Sequence, residues 1–204
     1  MRRAVVVGLV WGVFCGIANG VPVATTLVQM AVPWTWVAAF VAHREADNNR
    51  MAALLGAISL LAANMAYFGV GSLARGSSGL PLVGGVRFFA LWATVGLVIG
   101  PFAGLLGWRL TSQPGSFTAV VTLATVSVAE PLALWTHIDH LDAHLAYIGV
   151  AAAGLAFPLI WFRRDWRKAL QALALLLVLI YPTAVILEAT LIGFRQISPP
   201  MRLI

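Results

Sequence analysis

The hydrophobic positions of this chain form long unbroken runs, whereas a helix on the surface of a soluble protein alternates apolar and polar faces. Each run is about 20 residues long, which is the length that an α-helix needs to cross the hydrocarbon core of a bilayer. The runs predict about seven spans, at residues 4–21, 23–42, 52–73, 88–108, 117–135, 143–162 and 169–194. We therefore expect an all-α, polytopic bundle of transmembrane helices that forms a single integral membrane domain over residues 1–204.

The run at 23–42 has the weakest hydrophobic pattern. It contains Gln29 and Pro33 and is strongly apolar only from Ala31 to Ala42. A proline inside a helix removes one backbone hydrogen bond, so this segment is expected to form a short, broken or partly re-entrant helix. If it does not cross the membrane independently, the bundle has about six spans.

The composition supports the membrane prediction. Hydrophobic residues make up 61% of the chain and charged residues 10%, compared with about 25% charged residues in a typical soluble domain. These values exclude a soluble globular domain and an intrinsically disordered chain. Cys15 is the single cysteine and lies within the first apolar run, which excludes an internal disulfide and a thiolate metal cluster.

The basic residues lie between the apolar runs and predict the orientation of the chain. The formal net charge is +6, but the arginines and lysines do not form one patch, which argues against a nucleic-acid partner. With the amino terminus in the cytoplasm, nine of the 13 basic residues fall on the cytoplasmic side: Arg2, Arg3, Arg44, Arg50, Arg109, Arg163, Arg164, Arg167 and Lys168. The positive-inside rule favours this orientation in the cell membrane. The segment 163–168 is its strongest anchor, and a site for lipid headgroups or a partner is the alternative interpretation.

Glycines spaced four residues apart follow one face of two predicted spans. They are Gly8, Gly12, Gly16 and Gly20 in the first span, and Gly96, Gly100 and Gly104 in the fourth. Such a face lets another helix backbone approach closely, and close packing is a main source of helix association in lipid. The faces serve either the internal packing of the bundle or the docking of another membrane protein or a second copy.

Two carboxylates, Glu130 and Glu188, lie within predicted spans, where an ionisable group is costly and indicates a functional site. The helical rise of about 1.5 Å per residue places both roughly 8–11 Å below the outer surface. Three more polar residues fall on the same side of the membrane: Asn19, Asn64 and Arg87. If these side chains converge, they form an outward-facing polar pocket. If they do not, each is satisfied separately by backbone groups or interfacial water.

The connection between the fifth and sixth spans contains a cluster of histidines and aspartates. On a helix, His137, His140 and His144 would share one face, and with Asp139 and Asp142 they would provide ligands for zinc or a similar ion. The same residues also fit a pH sensor or an ordinary interfacial loop. No motif of a known enzyme class accompanies them, and no cofactor is expected.

Three stretches of the sequence resemble an uncharacterised family of bacterial multi-pass membrane proteins that is defined only as a domain of unknown function. They are Val-Pro-Trp-Thr-Trp-Val-Ala-Ala-Phe at 32–40, Gly-Pro-Phe-Ala-Gly-Leu-Leu-Gly-Trp-Arg at 100–109 and Val-Ala-Glu-Pro-Leu at 128–132. The resemblance implies a helical membrane domain and no particular activity. Its Ala-Glu pair adds weight to Glu130, while the histidine segment is not part of the pattern.

A weaker analogy connects the chain with the substrate-binding membrane subunits of energy-coupling-factor transporters. Those proteins are similar in size, have an outward-facing site and use faces of small residues for docking. They usually have six helices with both termini inside. The analogy therefore implies that 23–42 does not cross as an independent helix.

These patterns lead to three functional hypotheses. The first is a non-enzymatic membrane protein that binds or helps transport a small solute through the outward-facing polar pocket. The second is an accessory or scaffold subunit that packs through its glycine faces against a membrane-protein partner or as a homo-oligomer. The third is a metal-dependent intramembrane enzyme that uses the histidine segment.

Overall fold

The structure, a computed structural model, describes residues 1–18, 21–74, 82–112, 117–135 and 141–197. Within these ranges the chain forms eight α-helices and no strand. The helices are α1 (Arg2–Ala18), α2 (Pro22–Gln29), α3 (Ala31–Glu45), α4 (Asn49–Ala74), α5 (Leu82–Ser112), α6 (Phe117–Trp135), α7 (Leu141–Trp161) and α8 (Trp166–Ile197). The prediction of an all-α fold is confirmed.

Among the described residues, five helices are long and apolar enough to cross a membrane. Their spanning segments are Asn49–Val70, Phe89–Thr111, Phe117–Trp135, Leu141–Trp161 and Trp166–Thr190. These segments correspond to the last five predicted spans and are consistent with a multi-pass membrane protein. The first predicted span forms helix α1, which is described over 17 residues and is not among these five candidate spans. The number of about seven crossings therefore stays a prediction.

The predicted segment 23–42 forms two helices, α2 and α3, which meet at Met30. Met30 has extended backbone angles, φ −77° and ψ 143°. Pro33 explains the break, because in one continuous helix it would have to donate a backbone hydrogen bond to Gln29 and has no N–H group. The break places Pro33 in the first turn of α3, where no such bond is needed. The indole of Trp34 donates a hydrogen bond of 2.7 Å to the Val28 carbonyl, one of the last in α2.

The chain divides into two compact units, and the first comprises Met1–Ala119. In this unit α1 packs against α4 through the glycine face predicted from the sequence. A methyl group added at Gly8, Gly12 or Gly16 would collide with atoms of α4. At Gly16, for example, it would lie 2.8 Å from the Val70 Cβ atom. Gly20 lies outside the described residues.

The glycine face of α5 packs against another side of α4. A methyl group at Gly100 would lie 2.7 Å from the Ala57 Cα atom, and one at Gly104 would collide with the Ala52 carbonyl. At Gly96 the nearest atom is the Asn64 amide nitrogen, at 3.2 Å. Both glycine faces therefore contact α4 within the same unit.

Polar contacts join the helix ends of the first unit. Arg3 of α1 forms an ion pair of 2.9 Å with Glu45 at the end of α3. The Thr111 hydroxyl of α5 lies 2.5 Å from the His43 Nδ1 atom and donates to the His43 carbonyl at 2.8 Å. These ends carry the basic residues that the orientation prediction places in the cytoplasm.

The second unit comprises Val120–Ile204 and contains most of α6 with α7 and α8. The helices α6 and α7 approach closely at Gly154, where a methyl group would lie 2.8 Å from the Ser127 Cβ atom. A short turn joins α7 to α8, closed by a hydrogen bond of 2.7 Å from the Asp165 N–H to the Phe162 carbonyl. A single membrane domain over the whole chain stays a prediction.

Candidate functional site

A buried carboxylate and a buried phenol lie near the same end of the α6–α7 pair. Glu130 precedes the end of α6 at Trp135 by five residues, and Tyr147 follows the start of α7 at Leu141 by six. The helical rise places both roughly 8–9 Å from these ends. Glu130 is 9% exposed and Tyr147 is 1% exposed, and the two side chains interact electrostatically. They form the core of the candidate site.

Two hydroxyl groups in this unit are buried without a hydrogen-bond partner among the described residues. They belong to Tyr147 and to Thr125, which is 4% exposed. Each unsatisfied buried hydroxyl costs about 1–3 kcal/mol. Ser127, in contrast, donates its hydroxyl proton to the Leu123 carbonyl at 2.7 Å. The unpartnered hydroxyls are thus an exception within the described residues of α6 and α7.

The buried face of α7 brings Tyr147 into the interior of the unit. Its members are mostly small and recur at spacings of three, four and seven residues: Ala143, Ala146, Tyr147, Gly154 and Pro158. Residues with these spacings share one side of a helix. Because Gly154 has no side chain, α7 approaches α6 closely enough for the Tyr147 ring to be enclosed.

Aromatic rings cover the site on the side of the helix ends. The ring centroids of Trp135 and His144 are 4.3 Å apart, and those of His144 and Tyr147 are 6.4 Å apart. The His144 Nε2 atom also lies 3.4 Å from the Trp135 carbonyl oxygen. His144 precedes Tyr147 by about one helical turn and is therefore nearer to the start of α7.

Asn64, predicted as a contact of the same pocket, lies in the first unit. Its amide donates to the Leu60 carbonyl at 3.1 Å and to the Trp92 carbonyl of α5 at 3.4 Å. With 6% of its surface exposed, Asn64 acts as a polar link between α4 and α5. Its amide protons are therefore engaged in helix packing.

The remaining predicted site residues are placed only in part. Glu188 is half-buried in α8 and forms no hydrogen bond or ion pair with the residues that the structure describes. Asn19 and the side chain of Arg87 lie outside the described part of the chain. The convergence of these side chains with Glu130 stays a prediction.

The predicted metal site is also placed only in part. His137 and His140 lie outside the described residues, and only His144 has a described environment. In the part of the chain that the structure describes, no three histidine, cysteine or carboxylate side chains form a group suited to a metal ion. The metal hypothesis therefore stays a prediction, and the described partner of His144 is Trp135.

Tyr147 and Thr125 were not identified from the sequence. For Tyr147, residue counting could have given a signal, because its hydroxyl-bearing side chain lies at nearly the same predicted depth as Glu130 on the neighbouring span. Depth follows from counting residues, but the direction in which each side chain faces does not. The candidate site could therefore be identified only from the packing of α6 against α7 in the structure.

The comparisons with known proteins identify one family. A model described as a family of unknown function (DUF6518) matches residues 1–192. This range includes all three stretches that carry the resemblance noted in the sequence, and it includes the candidate site. A search of the curated proteins and a search of the solved structures each found no match. The analogy with energy-coupling-factor subunits has no support in these comparisons.

Proposed function

The chain belongs to DUF6518, a family of unknown function, and we propose that it is a non-enzymatic integral membrane protein that binds a small cationic solute. The proposed binding site is formed by Glu130 of α6 and Tyr147 of α7 in the second unit. One observation carries the proposal: the buried Tyr147 hydroxyl, which has no hydrogen-bond partner among the described residues, interacts with a buried carboxylate on the neighbouring helix.

The Glu130 carboxylate and the Tyr147 hydroxyl favour a small cationic solute that can also contact a hydroxyl oxygen. A carboxylate in a low-dielectric environment needs an opposite charge or a proton nearby. A monovalent metal cation or a small protonated amine would supply this charge and would also contact hydroxyl oxygens. Such a solute would contact the Tyr147 hydroxyl oxygen and would offset the desolvation of the carboxylate.

The distribution of basic residues supports access from outside the cell. The opposite end of α7 is followed by Arg163 and Arg164, and the start of α8 carries Arg167 and Lys168. The positive-inside rule assigns this end to the cytoplasm, which puts the end of the hairpin near Glu130 on the outer side. The amino terminus is then cytoplasmic if the chain has seven crossings.

The scaffold alternative receives less support from the packing. The glycine faces of α1 and α5 contact α4, so the described glycines are not exposed for docking a partner. A scaffold role would have to use another surface. No described feature favours intramembrane catalysis.

Native mass spectrometry of gently extracted protein tests the proposal. We expect the wild-type protein to retain a small solute, and we expect addition of alkali-metal cations or small amines to raise its melting temperature. The variants Glu130→Gln and Tyr147→Phe should each lose this effect. Tyr181→Phe is a matched control, because Tyr181 is 77% exposed on α8.

The variant Glu188→Gln examines the wider predicted pocket. Loss of the solute would include Glu188 in the site, while retention would restrict the site to α6 and α7. Unchanged solute binding in Glu130→Gln would overturn the proposal. The same holds if the wild-type protein retains no solute and no cation changes its melting temperature.

A further inference from the structure

The turn between α7 and α8 concentrates exposed positive charge. Arg163, Arg164, Arg167 and Lys168 all lie within six consecutive positions, and all four are exposed. The single acidic residue of the segment, Asp165, forms an ion pair of 3.2 Å with Lys168. Three guanidinium groups therefore remain without a carboxylate partner among the described residues.

Backbone hydrogen bonds fix the shape of this turn. The Phe162 N–H donates to the Pro158 carbonyl at 2.9 Å, and the Ala169 N–H donates to the Asp165 carbonyl at 3.1 Å. The Asp165 side chain accepts a further hydrogen bond of 3.2 Å from the Lys168 N–H. Arg163 and Arg164 are consequently presented on a defined turn, where less conformational freedom is lost on binding.

The position of the turn matches the boundary of a bilayer. It connects the spanning segments Leu141–Trp161 and Trp166–Thr190. Trp166 is 66% exposed, and the Arg167 guanidinium lies 5.8 Å from the centroid of its indole ring. Tryptophan and arginine side chains with this exposure are typical of the headgroup region, where the ring contacts lipid and the charge contacts phosphate.

We infer that the α7–α8 turn binds the phosphate headgroups of anionic phospholipids, with Arg163 and Arg164 as the direct contacts. A guanidinium group forms two parallel hydrogen bonds with a phosphate, and the anionic lipid balances the unpaired charge of the turn. Arg3 illustrates the contrast, because its guanidinium is engaged by Glu45. This lipid site is separate from the proposed solute site and does not depend on it.

Titration of the purified protein in a neutral detergent with phosphatidylglycerol, followed by native mass spectrometry, tests this inference. Purified protein is used because loss of positive charge can also alter the orientation of a chain during insertion. We expect phosphatidylglycerol to bind more tightly than phosphatidylcholine. The variant Arg163→Gln/Arg164→Gln should weaken phosphatidylglycerol binding roughly 30-fold, and added salt should weaken binding by the wild-type protein.

The variant Arg44→Gln/Arg50→Gln is the matched control, because it removes the same charge from two other exposed arginines. We expect it to change the affinity for phosphatidylglycerol by less than about threefold. A loss equal to that of the turn variant would show that net charge, not the turn, attracts the lipid, and would overturn the inference. Equal binding of the two lipids by the wild-type protein would also overturn it. An unchanged melting temperature of the turn variant verifies that it is folded.

Discussion

At the scale of single residues, the second unit combines satisfied and unsatisfied polar groups. The Ser127 hydroxyl donates a hydrogen bond to a backbone carbonyl of its own helix, as serine side chains in membrane helices commonly do. Tyr147 and Thr125 have no described partner although both are buried. A protein that retains such groups within lipid bears a cost, which a bound solute would offset.

The tyrosine hydroxyl gives a direct test of this cost. In solute-free protein, Tyr147→Phe should leave the free energy of unfolding unchanged or raise it by about 1 kcal/mol, because an unsatisfied donor is removed without loss of ring packing. The melting temperature in detergent would then rise by about 2–4 °C. Tyr181→Phe should have no effect. A marked fall for Tyr147→Phe would show that its hydroxyl is hydrogen-bonded in the folded protein.

Asp165 predicts a dependence of stability on pH. The hydrogen bond from the Lys168 backbone N–H, followed by that from its side chain, lowers the pKa of the Asp165 carboxyl below its ordinary value of 3.8. Since the folded-state pKa is the lower one, the stabilisation is present above about pH 4 and is lost as the pH falls through the folded-state pKa.

The variant Asp165→Ala should therefore melt below the wild-type protein at pH 7, and this difference should shrink as the pH falls below 3.8. Thermal unfolding in detergent at a series of pH values measures it. Asp165→Asn is the control, since an asparagine also caps a helix but does not titrate in this range. A difference that stays constant down to pH 2 would contradict the expectation.

At the scale of helices, spacing in the sequence identified faces but not their partners. The glycines of α1 and α5 recur every four residues, and this spacing correctly groups them on one side of each helix. The sequence left open which element they contact, because many small residues are compatible with close packing. The structure assigns both faces to α4.

This packing predicts different effects on stability for two glycine substitutions in the first unit. Gly104→Ala should lower the free energy of unfolding by about 1–3 kcal/mol, because the new methyl group would collide with the Ala52 backbone carbonyl. Gly69→Ala should be neutral or stabilising, since a methyl group there meets no atom within 4 Å. Thermal unfolding in detergent compares the two variants. Similar melting temperatures would show that α5 does not contact α4 at Gly104.

At the scale of the whole molecule, the hydrophobic runs are the reason why most helices were predictable. Only 11% of the segment Trp166–Thr190 is buried within the protein, compared with 67% of Phe117–Trp135. In water, the large exposed apolar surface of α8 would be unfavourable, but lipid solvates it. Apolar length in the sequence located the five candidate spans, with their ends shifted by at most four residues from those in the structure.

The details that the sequence did not predict depend on the direction in which side chains point and on individual hydrogen bonds to backbone carbonyls. Counting residues predicted a depth for Glu130, but it could not predict that the Tyr147 side chain interacts with it. The break at Met30 was one of three possibilities that Pro33 left open, and the bond from Trp34 to Val28 accompanies it in the structure. Asn64 was predicted as a pocket residue, and in the structure its side chain links α4 to α5.

The proposed orientation can be measured by labelling single cysteines in intact cells. In a Cys15→Ala background, Thr136→Cys between α6 and α7 should react with a membrane-impermeant maleimide. Arg164→Cys, between α7 and α8, should react only after the cells are permeabilised, because the positive-inside rule assigns it to the cytoplasm. The reverse labelling pattern would place the proposed solute site on the cytoplasmic side.

The pairing of α1 with α4 has a consequence for biogenesis. The residues of α4, Asn49–Ala74, follow α1 in the chain, so the glycine face of α1 can pack against them only after they have been synthesised. Until then, the backbone of α1 beside Gly8, Gly12 and Gly16 lacks the contacts that α4 provides in the folded protein. The interface between α1 and α4, which the sequence separates by two shorter helices, therefore forms only after α4 has been made.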